Sequence, residues 1–147
     1  MSDIKISDNP SDVDFEFVYG FLSCESNWAD GIGRRTQQRA INNSLCVSAF
    51  QDDKQIGFAR AITDYATFVW VDDVFVDPTA RRTGVAKLLI QTIVEHPRLS
   101  SVASWWLSSS NPSARALFKQ YGFGTPEQSR IEKWMGRPKV KTEAYRQ

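Results

Sequence analysis

Between Thr67 and Ile93 the pattern of apolar residues changes period across one proline. An apolar run rich in β-branched residues, Thr67 to Val76, stops at Asp77-Pro78. Proline cannot donate to a sheet ladder and turns the residue before it away from helix. After a short polar loop, Val85, Leu88, Leu89, Thr92 and Ile93 recur at the spacing of one helical face. The segment therefore predicts a strand, a basic turn and an amphipathic helix. Backbone N–H groups at a helix start lack partners, and the helix dipole adds roughly half a positive charge there. Arg81 and Arg82 add formal charge, and Gly84 lets an anion such as a pyrophosphate approach the main chain closely. Neither Gly-x-x-x-x-Gly-Lys-Ser/Thr nor Gly-x-Gly-x-x-Gly is present, so the loop is neither a nucleotide P-loop nor a dinucleotide fingerprint.

Around this stretch the chain predicts a mixed succession of helices and strands. Residues 3–6 alternate as a short strand, and Val13, Phe17, Val18, Phe21 and Leu22 share a helical face. A glycine-flanked loop with Trp28 follows, either a lid over a neighbouring core or the wall of a binding site. Arg34 to Asn43 reads as a polar helix. Leu45–Phe50, Gln55–Thr63 and Thr67–Val76 form a meander, and Val102–Leu107 a further strand. Asn111-Pro112 opens a helix that Gly122 closes. Phe123–Gly124 and Arg130–Met135 are expected to supply two last short strands, and the tail after Pro138 to be loose. One domain is expected over residues 1–147, its core at about 3–136 and its tail at 137–147.

Eighteen basic residues against seventeen acidic ones give no overall reason to expect a nucleic acid or a membrane as partner. The single histidine, His96, precedes Pro97 at a helix end, and Cys24 and Cys46 have no metal-ligand spacing, so no metal is expected. Without a membrane-length apolar run or a signal-peptide core, a reduced cytoplasmic location is the default expectation.

Arg81-Arg82-Thr83-Gly84-Val85-Ala86, following Val76-Asp77-Pro78, resembles the pyrophosphate loop of the GNAT superfamily of acyl-CoA-dependent N-acyltransferases, Arg/Gln-x-x-Gly-x-Gly/Ala. Asn111 to Phe123 resembles the family's second cofactor motif, Asn-x-x-Ala-x-x-Leu/Phe-Tyr-x-x-x-Gly-Phe, with Phe118 at the first aromatic. The segments Gly57–Asp64 and Asp73–Val76 are also similar to small, uncharacterised bacterial members. The resemblance covers roughly residues 3–136. It implies an α+β (mixed α/β) fold: a twisted, mostly antiparallel sheet of six to seven strands, about four flanking helices, and a splay between the fourth and fifth strands.

The same resemblance implies acetyl-CoA as cosubstrate. The main chain of Phe75 and Val76 would hold its pantetheine arm. Arg81, Arg82, Thr83, Gly84, Val85, Ala86 and Lys87 would hold the pyrophosphate, with Asn111 and Arg115 on the other side of the cofactor. The implied reaction is N-acetyl transfer to an amine, either a small molecule or a peptide; a catalytically silent acetyl-CoA-binding regulatory module is the alternative. Pairing into a homodimer is left open.

Chemistry adds its own requirement. An amine of pKa about 10.4 must lose a proton before it attacks a thioester. Strict strand alternation puts Asp72 and Asp73 on opposite faces, unless a β-bulge intervenes. The family position of a general base falls on Asp73, and that of the acid for the leaving thiolate falls on Tyr121. Trp28, Asp30, Trp70, Asp72 and Trp134 are expected to wall the acceptor pocket, whose carboxylates and indoles favour a cationic amine.

Overall fold

The computed structural model describes residues 3–147. One sheet of five strands, in the order β1-β2-β3-β4-β5, carries the architecture. They are β1 (Lys5–Ser7), β2 (Leu45–Gln51), β3 (Lys54–Thr63), β4 (Phe68–Val76) and β5 (Ser104–Trp106). The first four pair antiparallel, and β5 joins β4 in parallel. Among the described residues five α-helices flank the sheet: α1 (Phe15–Gly20), α2 (Arg34–Asn42), α3 (Val85–Val94), α4 (Pro112–Lys119) and α5 (Gln128–Ile131).

Two apolar cores lie against the sheet. Leu89 and Ile93 of α3 are completely buried in one core, with Val47 and Ala49 of β2, Ala59 of β3 and Val69 of β4. Burial of each such leucine or isoleucine contributes roughly 1.5–3 kcal/mol. Gly57 makes this approach feasible: a Cβ there would lie 2.9 Å from Val85 and 3.0 Å from Leu89. The second core joins Val18 and Leu22 to Ile41, Phe58 and Phe75. The Phe21 and Phe75 rings stack within it at 4.0 Å. The first amphipathic helix runs through α1 into a turn of π-helix, Phe21–Glu25.

Two sequence expectations need correction. Phe123–Gly124 forms no strand and Arg130–Met135 falls on and after α5, so the described sheet has five strands, not six or seven. Trp134 and Ile131 pack on indoles and apolar side chains instead of entering a ladder. The tail is also not loose. The Tyr145 carbonyl accepts from Gly33 N–H at 2.9 Å, the Ala144 carbonyl accepts from the Thr36 hydroxyl at 3.2 Å, and the Tyr145 ring packs on the second core. Tyr145→Ala should therefore lower unfolding stability by about 1–3 kcal/mol, measured by urea denaturation. A loose tail would leave the midpoint unchanged.

Candidate active site

The anion loop is assembled from its own backbone. The Asp77 carboxylate accepts from Thr79 N–H at 2.9 Å and starts a single turn, Pro78–Ala80, that buries Ala80. Arg82 at φ 62° and Gly84 at φ 87° both take left-handed conformations before α3 begins. The first bond of that helix runs from Leu88 N–H to the Gly84 carbonyl at 3.1 Å, so the N–H groups of Val85, Ala86 and Lys87 precede the ladder. A Cβ on Gly84 would meet no protein atom within 4 Å. It would project into open space beside the helix start, and a left-handed φ would strain any other residue there. This cradle suits a phosphate group. Arg81 Nε donates to the Val76 carbonyl at 3.2 Å and the Thr83 hydroxyl to the Ala80 carbonyl at 2.5 Å, so both side chains brace the loop. Arg82 and Lys87 are exposed.

Next to the loop, β4 carries both aspartates. Phe58 pairs with Phe75 and Arg60 with Asp72, so β4 holds one residue more than β3 at this point. The bulge takes Asp73 to φ 50°, a conformation that aspartate tolerates better than most residues. It reverses the alternation: Val69 and Val71 face the α3 core, and beyond the bulge Val76 does so. Phe75 enters the other core. Strict alternation therefore fails here, and both carboxylates meet the same side chain, Arg60. Arg60 Nε lies 2.7 Å from Asp73 Oδ2, and Nη2 lies 3.3 Å from Asp72 Oδ2. Asp73 also accepts from the Trp28 indole at 2.8 Å and is only 6% exposed. Asp72 is the more accessible of the two, its side chain one-third exposed. Partial burial and the Asp73 charge hold its pKa above the ordinary carboxylate value, against the lowering effect of Arg60.

The splay lies where expected. The β4–β5 pairing covers only Phe68–Trp70 with Ser104–Trp106, and β4 continues alone to Val76. Beside the opening is a hollow of about 250 Å³ lined by Trp70, Trp106, Leu107, Ile131 and Trp134. The Trp134 ring centroid stands 6.4 Å from that of Trp70 and 4.4 Å from that of Trp106. Another hollow, of about 310 Å³, lies between Phe17, Phe21 and Cys24 on the first helix and Pro78 after β4.

The expected acceptor pocket is thus divided. Trp70, Asp72 and Trp134 lie toward the splay, while Trp28 packs near Phe21 with its indole on Asp73. The Asp30 carboxylate is taken by the Lys141 ammonium, which also donates to the Asp30 carbonyl at 2.7 Å and holds the Asp30 pKa below its usual value. Lys139 donates to the Trp28 carbonyl at 2.5 Å. Two of the carboxylates expected to attract a cation, Asp30 and Asp73, are therefore already paired. On the far side, Asn111 caps α4, accepting from Ser113 and Ala114 N–H at 2.9 and 3.1 Å. Arg115 is bound to the Ser109 carbonyl and the Thr125 hydroxyl, each at 3.0 Å. The Tyr121 hydroxyl lies 3.5 Å from the Lys87 carbonyl, at the limit of a hydrogen bond, on the first turn of α3.

Arg60, Trp106, Lys139, Lys141 and Tyr145 were not singled out by sequence reasoning. Arg60 had a signal, a lone charge in an apolar strand opposite two aspartates; the tail lysines had none. Among the described residues no group of three metal-ligating side chains occurs, and no helix is long and apolar enough to cross a membrane. Cys46 is an inert thiol, its pKa pushed up to about 12 by burial.

Residues 15–123 match the family model described as the acetyltransferase (GNAT) family. The chain is 28% identical over 108 residues to the uncharacterised N-acetyltransferase YafP of Escherichia coli, covering 74% of this chain and 59% of that protein. It thus spans about three-fifths of that relative's length. Over 128 residues it is 27% identical to the E. coli ribosomal protein bS18-alanine N-acetyltransferase, covering 84% of this chain and 79% of the other. A Xanthomonas campestris crystal structure described as belonging to the GNAT family superposes with a TM-score of 0.86 at 36% identity, covering 94% of each chain. This chain belongs to the acetyltransferase (GNAT) family.

Proposed function

We propose that this protein transfers an acetyl group from acetyl-CoA to the amine of a small molecule or peptide. The observation that carries this reading is the meeting, at one splayed strand, of an open anion cradle and an accessible carboxylate of raised pKa. Acetyl-CoA would supply the acetyl group as an activated thioester. The N–H groups of Val85, Ala86 and Lys87, with the Arg82 and Lys87 side chains, would hold its pyrophosphate. The β4 backbone at Phe75 and Val76, beyond the stretch that β5 pairs, would pair with its pantetheine arm. Arg81, Thr83 and Asn111 act indirectly by fixing loop and helix ends, and Arg115 braces the approach to α4.

The base in this reading is Asp72, not Asp73. Asp73 is enclosed by an indole and a guanidinium, and giving up its charge would leave Arg60 short of a partner. Asp72 is reached by solvent and is the readier proton acceptor, so Asp73 is a positioning residue that aims Arg60 and Trp28. A β4 N–H near the bulge would polarise the acetyl carbonyl, and the Tyr121 hydroxyl would protonate the departing sulfur.

The test is thiol release from acetyl-CoA with a panel of amines, run on the parent and on Tyr121→Phe. The parent should turn over at least one amine. The variant should bind acetyl-CoA as before and lose about ten- to a thousand-fold in maximal rate. Unchanged turnover removes Tyr121 from the mechanism; acetyl-CoA binding with no turnover of any amine favours a silent binding module.

A further inference from the structure

The tryptophan hollow has no part in the chemistry assigned above. Trp70 and Trp106 are register partners across the parallel pair, so their side chains stand together on one face of the sheet. Trp134 leans over both, and Ile131 and Leu107 close the sides. Such walls suit a flat apolar body. The Arg130 guanidinium stands over the Trp106 ring, 4.9 Å from its centroid. The ion pairs of the described residues leave Arg130 without a carboxylate. Asp72 lies two residues beyond Trp70 on the same face of β4, ~7 Å along the strand. An aromatic surface, an unpaired guanidinium and a carboxylate therefore stand within one hollow's neighbourhood. Asp30 and Asp73, which could have held a second cationic centre, are taken by Lys141 and Arg60.

We propose that the acceptor is a free aromatic α-amino acid, its ring among Trp70, Trp106 and Trp134, its carboxylate on Arg130 and its amine toward Asp72. This inference rests on the acetyl-transfer reading and narrows its substrate. The amine gives a proton to Asp72, its nitrogen forms a bond to the acetyl carbon, and the carbon–sulfur bond breaks. The Tyr121 hydroxyl gives its proton to the CoA sulfur and is restored by the second proton that the acylated nitrogen loses, and the products are the N-acetyl amino acid and CoA.

Steady-state thiol release should be compared for L-phenylalanine, phenethylamine, L-alanine and spermidine. The kcat/KM for L-phenylalanine should exceed each of the others by about tenfold or more, since a missing ring or carboxylate leaves an indole surface or a guanidinium unmatched. Arg130→Gln should raise KM for L-phenylalanine about tenfold while leaving phenethylamine within about twofold, and Arg130→Lys should recover part of the loss. Trp134 is half exposed, so Trp134→Leu should keep the fold while raising KM for both aromatic amines. The change in tryptophan emission on titrating each amine reads the same ranking without turnover. A preference for spermidine or L-alanine, or unchanged selectivity in Arg130→Gln, overturns the proposal. A melting-temperature rise on adding acetyl-CoA, with no preference for L-phenylalanine, rejects this acceptor and leaves acetyl transfer standing. With no rise and no turnover, both fall.

Discussion

Asp72→Asn is expected to lower the maximal rate of acetyl transfer by about 10²- to 10⁴-fold while leaving acetyl-CoA affinity within about twofold. The amide keeps the size and polarity of the side chain but cannot take a proton from an incoming ammonium. The parent's rate should fall on the acid side through an ionisation above the ordinary carboxylate value of about 3.9, because partial burial and the Asp73 charge raise the Asp72 pKa. In the variant that limb disappears, and the residual rate climbs with pH as more amine deprotonates unaided. Stability should respond with the opposite sign. Folded Asp72 holds its proton more tightly than unfolded Asp72, so its contribution favours the fold at low pH and is lost as pH rises through the raised value. Asp72→Asn escapes that loss and should be at least as stable as the parent at pH 7. An inactive variant that is also less stable would point to a structural role. A pH–rate profile paired with thermal melts at pH 5 and pH 7 separates the two. Asp73→Asn provides the contrast: it removes a charge from a buried ion pair with Arg60 and should lose stability as well as rate.

Gly84→Val should reduce acetyl-CoA affinity by about a hundredfold or more, measured by calorimetric titration. Two costs act together. A β-branched residue at φ 87° is strained by roughly 1–3 kcal/mol, and its side chain would project into open space beside the helix start, where the proposed anion would lie. Rearranging the loop to relieve the strain would turn those N–H groups away. Gly84→Ala should fall between parent and valine, because it keeps part of the strain and less of the bulk. Normal binding by Gly84→Val would mean that the anion does not sit on this loop.

The strand, turn and helix around Gly84 were legible because proline, glycine and helical periodicity act close together in the chain. The meander and the cap at Asn111 follow from equally local rules, the splay after the fourth strand was implied by the family resemblance, and the structure realises all three. What escaped was non-local. Asp72 and Asp73 lie on opposite faces by alternation, and only the pairing of β3 with β4 decides that one extra residue is absorbed there. The segment after Gly122 has strand-like residues, Ile131 and Trp134 among them, yet they find a better apolar partner in Trp70 and Trp106 than in an edge ladder. Polar composition suggested a free tail. Its lysines instead bond the Trp28 and Asp30 carbonyls, more than a hundred residues earlier in the chain, and no local pattern encodes such a contact.

The most direct measurement is to supply acetyl-CoA labelled in its acetyl group together with the amine panel and follow both products by mass spectrometry. Label is expected in one N-acetylated amine, one equivalent for each CoA released, with loss of both signals together in Asp72→Asn and Gly84→Val. Acetyl-CoA that binds this chain while no amine gains label, or label transfer that survives in both variants, would contradict it.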